Sequence, residues 1–234
     1  SKELAERLEE AKDVMKRLLR DAALPVVDYW SLRESEIDTF FGSTSGQLTY
    51  PVFVKPANLG SSVGITKVHV AGELRAALKT AAEFDGKIIV ERGVDAREIE
   101  ISVLGNDEPV ASVPGEIVPS QEFYSYDAKY ASDDSKLLIP APLEDQQVKT
   151  AQQMALSAFK VLECSGMARV DLFLERPTHE SSVTEINTLP GFTNISMYPK
   201  LWEASGVPYS ELIDRLIALA IERHAGKNRL RTKY

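Results

Sequence analysis

Apolar positions recur in steps of three and four at the start of the chain. Leu4, Leu8, Ala11, Met15, Leu18 and Ala22 fall on one stripe. That spacing predicts an amphipathic helix, capped by Ser1 and ended by Leu24-Pro25. Residues 26–50 show no such period, and Gly42-Ser43-Thr44-Ser45-Gly46 reads as a flexible loop. Residues 52–55 and 65–70 read as short strands joined by a glycine- and serine-rich run, and 71–84 as an alanine-rich helix. Residues 87–91 and 97–104 are two further strands, with Gly93 in the turn between them. The polar and aromatic stretch 115–140 lacks periodicity, and so long a loop in a compact region is usually a lid or a binding loop. Residues 144–163 form an amphipathic helix, and 168–174 and 183–186 two strands. A last helix over 209–224 places Leu212, Leu216, Leu219 and Ala220 on one face.

Composition narrows the function classes. At 234 residues the chain suits one large domain or two small ones. A net charge of -8 argues against a general nucleic-acid binder, which needs a basic face. It leaves room for a local basic pocket. Cys164 is the only cysteine, so no intrachain disulfide forms, and the cytoplasm is the expected compartment. No apolar run is long enough to span a bilayer, and the N-terminus lacks the apolar stretch of a signal peptide.

Two runs carry candidate chemistry. In Glu185-Ile186-Asn187-Thr188-Leu189-Pro190-Gly191, Glu185 and Asn187 share one face of a strand end. Arg169 and Asp171 share a face in the preceding strand. A hairpin turning near Thr178 sets Arg169 opposite Asn187 and Asp171 opposite Glu185. Two carboxylates and an amide oxygen beside a guanidinium suit magnesium, which also takes water and phosphate oxygens. A solvated strand face with cross-strand ion pairs fits the same four residues. The Thr188-Leu189-Pro190-Gly191 turn adds backbone amides of the kind that stabilise an oxyanion.

The second run is Lys55-Pro56-Ala57-Asn58-Leu59-Gly60-Ser61-Ser62-Val63-Gly64. It opens into a strand and lacks a Gly-Lys-Ser/Thr ending, so it is not a Walker A loop. Its glycines and its Ser61 and Ser62 hydroxyls can still surround phosphate oxygens. As composition alone, it reads first as an ordinary exposed hairpin turn, since Gly-Ser turns are common. Lys129-Tyr130 sits in the long polar loop, where it can serve a closing lid or stand on an ordinary surface. Glu91 and Glu98 flank a turn and can bond adenine and ribose, or lie exposed. His69, His179 and His224 have no metal-ligand spacing.

These runs, with Phe123–Tyr130, Gly166–Val170 and Asn194-Ile195-Ser196-Met197-Tyr198-Pro199, resemble the D-alanine–D-alanine ligases of the ATP-grasp superfamily. The similarity extends from about Lys12 to the C-terminus. It implies an α+β fold, an ATP-grasp core of two α+β subdomains with mainly antiparallel sheets clasping a nucleotide cleft. The expected division is an N-terminal helix at 1–24, a central subdomain at 25–94, and a C-terminal subdomain at 95–234 holding the lid loop 115–140 and the metal site.

The implied activity is ATP-dependent ligation of a carboxylate to an amine, through an acyl phosphate, for peptidoglycan precursors. By the same resemblance, Lys12, Lys55 and Lys129 contact phosphates, with Ser62 in the glycine-rich loop. Glu91, Arg92, Val94 and Glu98 line the adenosine pocket. Asp171, Glu185 and Asn187 hold two magnesium (or manganese) ions. Arg169 and the Gly191 amide stabilise the tetrahedral oxyanion, and Ser196 and Met197 receive the carboxylate of the second D-alanine. Ser61 and Tyr130 position substrate and lid, and Tyr130 favours a dipeptide product.

The family carries a further N-terminal domain that this sequence does not contain, and Glu10-Ala11-Lys12 stands where Met-Asp-Lys is usual. The idealised opening helix reads as a designed or substituted replacement. The expectation is therefore binding of ATP, magnesium and D-alanine with impaired ligation. The alternatives are a non-catalytic nucleotide-binding module and an ATP-grasp ligase for another acid. Neither nucleic acid nor membrane is an expected partner, and a homodimer is compatible with the family.

Overall fold

The computed structural model describes residues 12–58, 63–119, 136–193 and 195–229. Strands β1 (Tyr29–Arg33), β2 (Val52–Pro56), β3 (Thr66–Val68) and β4 (Lys87–Arg92) form a four-stranded antiparallel sheet in the order β1-β4-β2-β3. Strands β5 (Ala96–Gly105), β6 (Val110–Ala111), β7 (Gly115–Val118), β8 (Lys136–Leu138), β9 (Gly166–Glu175) and β10 (Ser181–Asn187) form a six-stranded sheet. Its order is β10-β9-β5-β7-β8, with β6 beside β5, and every pairing is antiparallel. The α+β class with mainly antiparallel sheets is the one the resemblance implies.

Each sheet builds its own core. Helices α2 (Ile37–Thr44) and α3 (Ala71–Ala82) lie by the first sheet, where Leu74, Ala77, Leu78 and Ala81 pack against Val52, Val54, Ile88 and Val90. Alternate residues of β9 (Ala168, Val170, Leu172 and Leu174) face α4 (Asp145–Val161) and its Ala151, Ala155, Ala158 and Phe159. The opposite face of the large sheet is partly covered by α5 (Met197–Ala204) and α6 (Tyr209–Asn228) through Tyr198, Trp202, Leu212 and Leu104. Cys164 is buried in the large core.

Helix α1 (Lys12–Asp21) joins the two halves. Met15 and Leu19 are fully buried in the large core, whereas Leu18 is 37% exposed and Ala22 lies on the surface. Met15 lies where the predicted stripe puts it, and the stripe is corrected at Leu18 and Ala22, which hydrophobic spacing alone assigns to it. The face that packs is Lys12, Met15, Lys16 and Leu19, because its two cations find carboxylates on the sheets. Leu4, Leu8 and Ala11 lie outside the described residues. After α1, the Val183 amide donates to Pro25 O at 2.8 Å, so the chain first runs beside β10 and then crosses to become β1.

Other expectations need correction. Residues 26–50 are not irregular: they hold β1, a 3-10 turn (Glu34–Glu36) and α2. The β1 pattern is masked because only Leu32 of its five residues is buried. The ends of the stretch 115–140 are not loop but β7 and β8, which pair with each other; 120–135 lies outside the described residues. Helix α5 was not foreseen, because Pro199 breaks its sequence pattern; proline is tolerated in a first helical turn. Ala220 of α6 is exposed, with Leu212 buried and Leu216 and Leu219 half-buried.

Candidate functional site

The pleat brings the chemistry of the large sheet to the face away from α4. Glu100 pairs with Asp171 across β5 and β9, and Asp171 pairs with Glu185 across β9 and β10. In the neighbouring row Ser102, Arg169 and Asn187 are likewise aligned. The predicted register is therefore the observed one. A bulge between Val183 and Glu185 shifts the rest of the hairpin without disturbing this part.

The guanidinium of Arg169 donates to both oxygens of Asp171 at 2.7 Å and lies 3.2 Å from Glu100 Oε2. Burial disfavours its charge, but Asp171 and then Glu100 outweigh that and raise its pKa. On the far side of the row Lys12 Nζ reaches Glu185 Oε1 at 2.5 Å. The Asn187 side-chain oxygen accepts from the Leu189 amide at 3.0 Å, which shapes the turn after β10.

The second cationic group forms around β4. Glu91 is buried, with Lys16 Nζ at 2.8 Å and Lys55 Nζ at 3.0 Å from the same oxygen, Oε2. Burial alone would raise the Glu91 pKa, but Lys55 and Lys16 hold it down to about 2. Burial pulls the Lys16 pKa down against the attraction of Glu91. The carboxylate is the better-stabilised partner because two cations face it, whereas Lys16 has one nearby anion to set against full desolvation. Lys12 and Lys16 are one helical turn apart, so a single face of α1 delivers cations to Glu185 of the large sheet and Glu91 of the small one. The Lys12 amide donates to Ala57 O at 3.0 Å, which seats this helix start beside the end of β2.

The remaining predicted residues are spread around this centre. Glu98 precedes Glu100 by two and shares its strand face. Arg92 is drawn to Glu175 at 2.9 Å, and Val94 is half-buried in the β4–β5 turn. Gly191 passes so close to Ser196 that a Cβ would stand 3.0 Å from its Oγ. Ser196 Oγ pairs with Thr193 Oγ1 at 2.8 Å and accepts from the Thr193 amide at 3.1 Å. The Met197 side chain is buried against Gly115, leaving its backbone at the start of α5 as the group able to meet a ligand. Ser102 Oγ donates to Tyr198 O at 3.1 Å, which fixes α5 beside the Arg169 row. Ser61, Ser62, Lys129 and Tyr130 lie outside the described residues.

Two residues of this centre were not singled out from the sequence. Glu100 was signalled by the alternation Glu98-Ile99-Glu100-Ile101-Ser102-Val103, which puts all three polar residues on one face. Lys16 was signalled only by its position one turn after Lys12.

The donor set suits a hard cation: Asp171, Glu185 and Asn187 offer oxygen at adjacent register positions. These atoms are not gathered on one point. Asp171 is taken by Arg169 and Glu185 by Lys12, and among the described residues no group of three His, Cys, Asp or Glu side chains is arranged to hold a metal. Two surface clefts, of about 410 and 580 Å³, lie elsewhere, and of the predicted residues only Arg92 lines one of them.

Comparison with known proteins gives a consistent answer. The family model described as "D-ala D-ala ligase C-terminus" matches residues 18–218. A D-alanine–D-alanine ligase of Heliobacterium modesticaldum is 54% identical over 230 residues, covering 95% of this chain and 62% of that protein. D-alanine–D-alanine ligase A of Escherichia coli K12 is 52% identical over 223 residues, covering 94% and 61%. Among solved structures, the D-alanine-D-alanine ligase of Coxiella burnetii superposes with a TM-score of 0.83 at 40% identity, covering 95% of this chain and 59% of that one. The VanG D-Ala:D-Ser ligase of Enterococcus faecalis gives 0.85 at 36%, covering 92% and 63%. The chain thus spans about three fifths of the length of the relatives it matches. With two antiparallel sheets in the ATP-grasp arrangement and this extent of matching, the chain belongs to the D-alanine–D-alanine ligase family, over that family's C-terminal region.

Proposed function

We propose that this chain binds ATP with divalent magnesium and carries the phosphoryl-transfer part of a D-alanine–D-alanine ligase, which supplies peptidoglycan precursors in the cytoplasm. The observation that supports this most is the meeting of an acid row, Glu100–Asp171–Glu185, with a lysine group formed by Lys12, Lys16 and Lys55. Phosphoryl transfer depends on positioning and charge neutralisation, and such a meeting of oxygen donors and cations suits it.

In this reading Lys12, Lys55 and Lys129 take phosphate oxygens, and Ser62 lies in the loop over them. Glu91, Arg92, Val94 and Glu98 line the nucleoside pocket. Asp171, Glu185 and Asn187 hold magnesium, which when bound neutralises charge on the phosphates. Lys12 and Arg169 then exchange their present carboxylate partners for ligand oxygens. Arg169 and the Gly191 amide face the oxyanion formed when the amine of D-alanine attacks the activated carboxylate. Ser196 and the Met197 amide at the start of α5 accept the carboxylate of that D-alanine, where the helix dipole favours an anion. Ser61 and Tyr130 order substrate and lid.

A second reading is nucleotide binding without ligation. It is favoured by the ion pairs that already hold Asp171 to Arg169 and Glu185 to Lys12, which keep these groups from one shared point. Titration calorimetry with adenylyl imidodiphosphate and magnesium tests the common part: no heat at millimolar nucleotide rejects both readings. ADP release that depends on D-alanine then separates them. A panel including D-serine and D-lactate identifies the acceptor.

A further inference from the structure

We propose that Lys16 is a positioning residue: it is the stationary counter-cation of Glu91, and so lets Lys55 leave Glu91 for a nucleotide phosphate. This inference rests on the nucleotide reading above and adds a residue and a movement to it.

Two lysines share one carboxylate oxygen, but their surroundings differ. The Lys16 side chain has no exposed surface, whereas that of Lys55 is 15% exposed. Lys16 is set in the middle of α1, its Nζ 5.5 Å from the centre of the Tyr29 ring, between the core residues Met15 and Leu19. It has nowhere to go. Lys55 stands near the end of β2, next to the glycine-rich run, and its ammonium is at the rim of the buried group.

The physics follows from the burial of Glu91. A buried carboxylate stripped of its partner is strongly unfavourable. Were Lys55 its sole partner, moving Lys55 to a phosphate would impose that penalty on every binding event. Lys16 removes it, because Glu91 keeps one ion pair at 2.8 Å after Lys55 departs. Lys16 also repels Lys55, the two ammonium groups being held on one oxygen, which further loosens the mobile partner. One lysine neutralises Glu91, so the second leaves the first free to move.

Lys16→Met tests this. Magnesium–adenylyl imidodiphosphate should bind the variant at least about tenfold more weakly than the parent chain. In a Glu91→Gln background, compared with Glu91→Gln alone, the same Lys16→Met change should cost far less affinity, because Lys55 there has no carboxylate to hold it. Side-chain NMR of the lysine ε-CH₂ groups supplies the readout that a structural or purely long-range charge effect does not move. In the parent, nucleotide should shift the Lys55 signals and leave those of Lys16 in place; in Lys16→Met, Lys55 should stay unshifted at the nucleotide concentration that saturates the parent.

Equal affinity of parent and Lys16→Met overturns the inference and leaves the nucleotide reading intact. So does a Lys16→Met effect of equal size in the parent and in the Glu91→Gln background, or a parent in which Lys16 shifts together with Lys55. Failure of the parent to bind nucleotide overturns both. If Lys16→Met does not fold, the comparison of Lys16 and Lys55 signals in the parent decides alone.

Discussion

At the scale of single residues, the charges of this chain are held by one another. Glu91 shows what that does to stability. Its pKa in the fold is about 2, below the ordinary value of 4.5, so its contribution is complete above pH 4.5 and is lost as the pH falls toward 2. That contribution is on the order of 3 kcal/mol. Urea denaturation across this window should show the loss, and Glu91→Gln should flatten the slope there. Asp171 makes a different prediction. Its two oxygens now serve Arg169, and in the proposed function they pass to magnesium. Asp171→Asn should weaken magnesium-dependent nucleotide binding by about tenfold or more, measured by calorimetry with and without the metal. Glu100 was not singled out, whereas Asp171, Glu185 and Glu91 were legible as residue types. Their present partners were not, since an ion pair between residues 12 and 185 leaves no trace in either local sequence.

At the scale of elements, α1 separates two ways of reading a helix. Leu18 and Leu19 are adjacent leucines, but only Leu19 is buried. Leu19→Ala should cost about 2–5 kcal/mol and Leu18→Ala far less, as thermal or urea unfolding will show. Hydrophobic spacing alone had assigned Leu18 to the core. The buried face of α1 contains Lys12, Asp13 and Lys16, with Asp13 paired to Lys87 and Arg17, so hydrophobicity is a poor guide to its orientation. The turn between β4 and β5 is the opposite case, because its glycine was evident. A Cβ on Gly93 would stand 2.6 Å from Pro51 O, and the Gly93 amide donates to that same oxygen at 2.8 Å. Gly93→Ala must push β2 and β4 apart there. A lowered melting temperature is the expected result; an unchanged one would show that the turn yields freely.

For the whole molecule, the proposed function draws on both sheets for one site, and α1 contributes ion pairs to each sheet. Its apolar face is part of the large core, and its polar face meets Glu91 and Lys87 of the small sheet. Nucleotide that engages Lys12, Lys55 and the acid row together binds only the folded arrangement. Saturation at about one hundred times Kd should therefore stabilise the chain by about 2.7 kcal/mol. Differential scanning fluorimetry should register this as a rise of several degrees with magnesium present, and a smaller one when it is chelated. The arrangement also gives reason to place the acid row on β5, β9 and β10, since adjacent antiparallel strands hold their side chains about 5 Å apart without help from loops.

The chain's own order of residues was enough to determine β2 to β5, β9, β10 and the Asp171–Glu185 hairpin register, because side-chain alternation and hairpin closure act between near neighbours, and its motifs carried the family resemblance, but β1, β6, β7 and β8 were not legible. It did not determine α5, the orientation of α1, or the sharing of Glu91 by Lys16 and Lys55. Those depend on which surfaces meet once both sheets have formed. A buried charge is stable only beside a partner, and the partner is chosen by packing between elements distant in sequence.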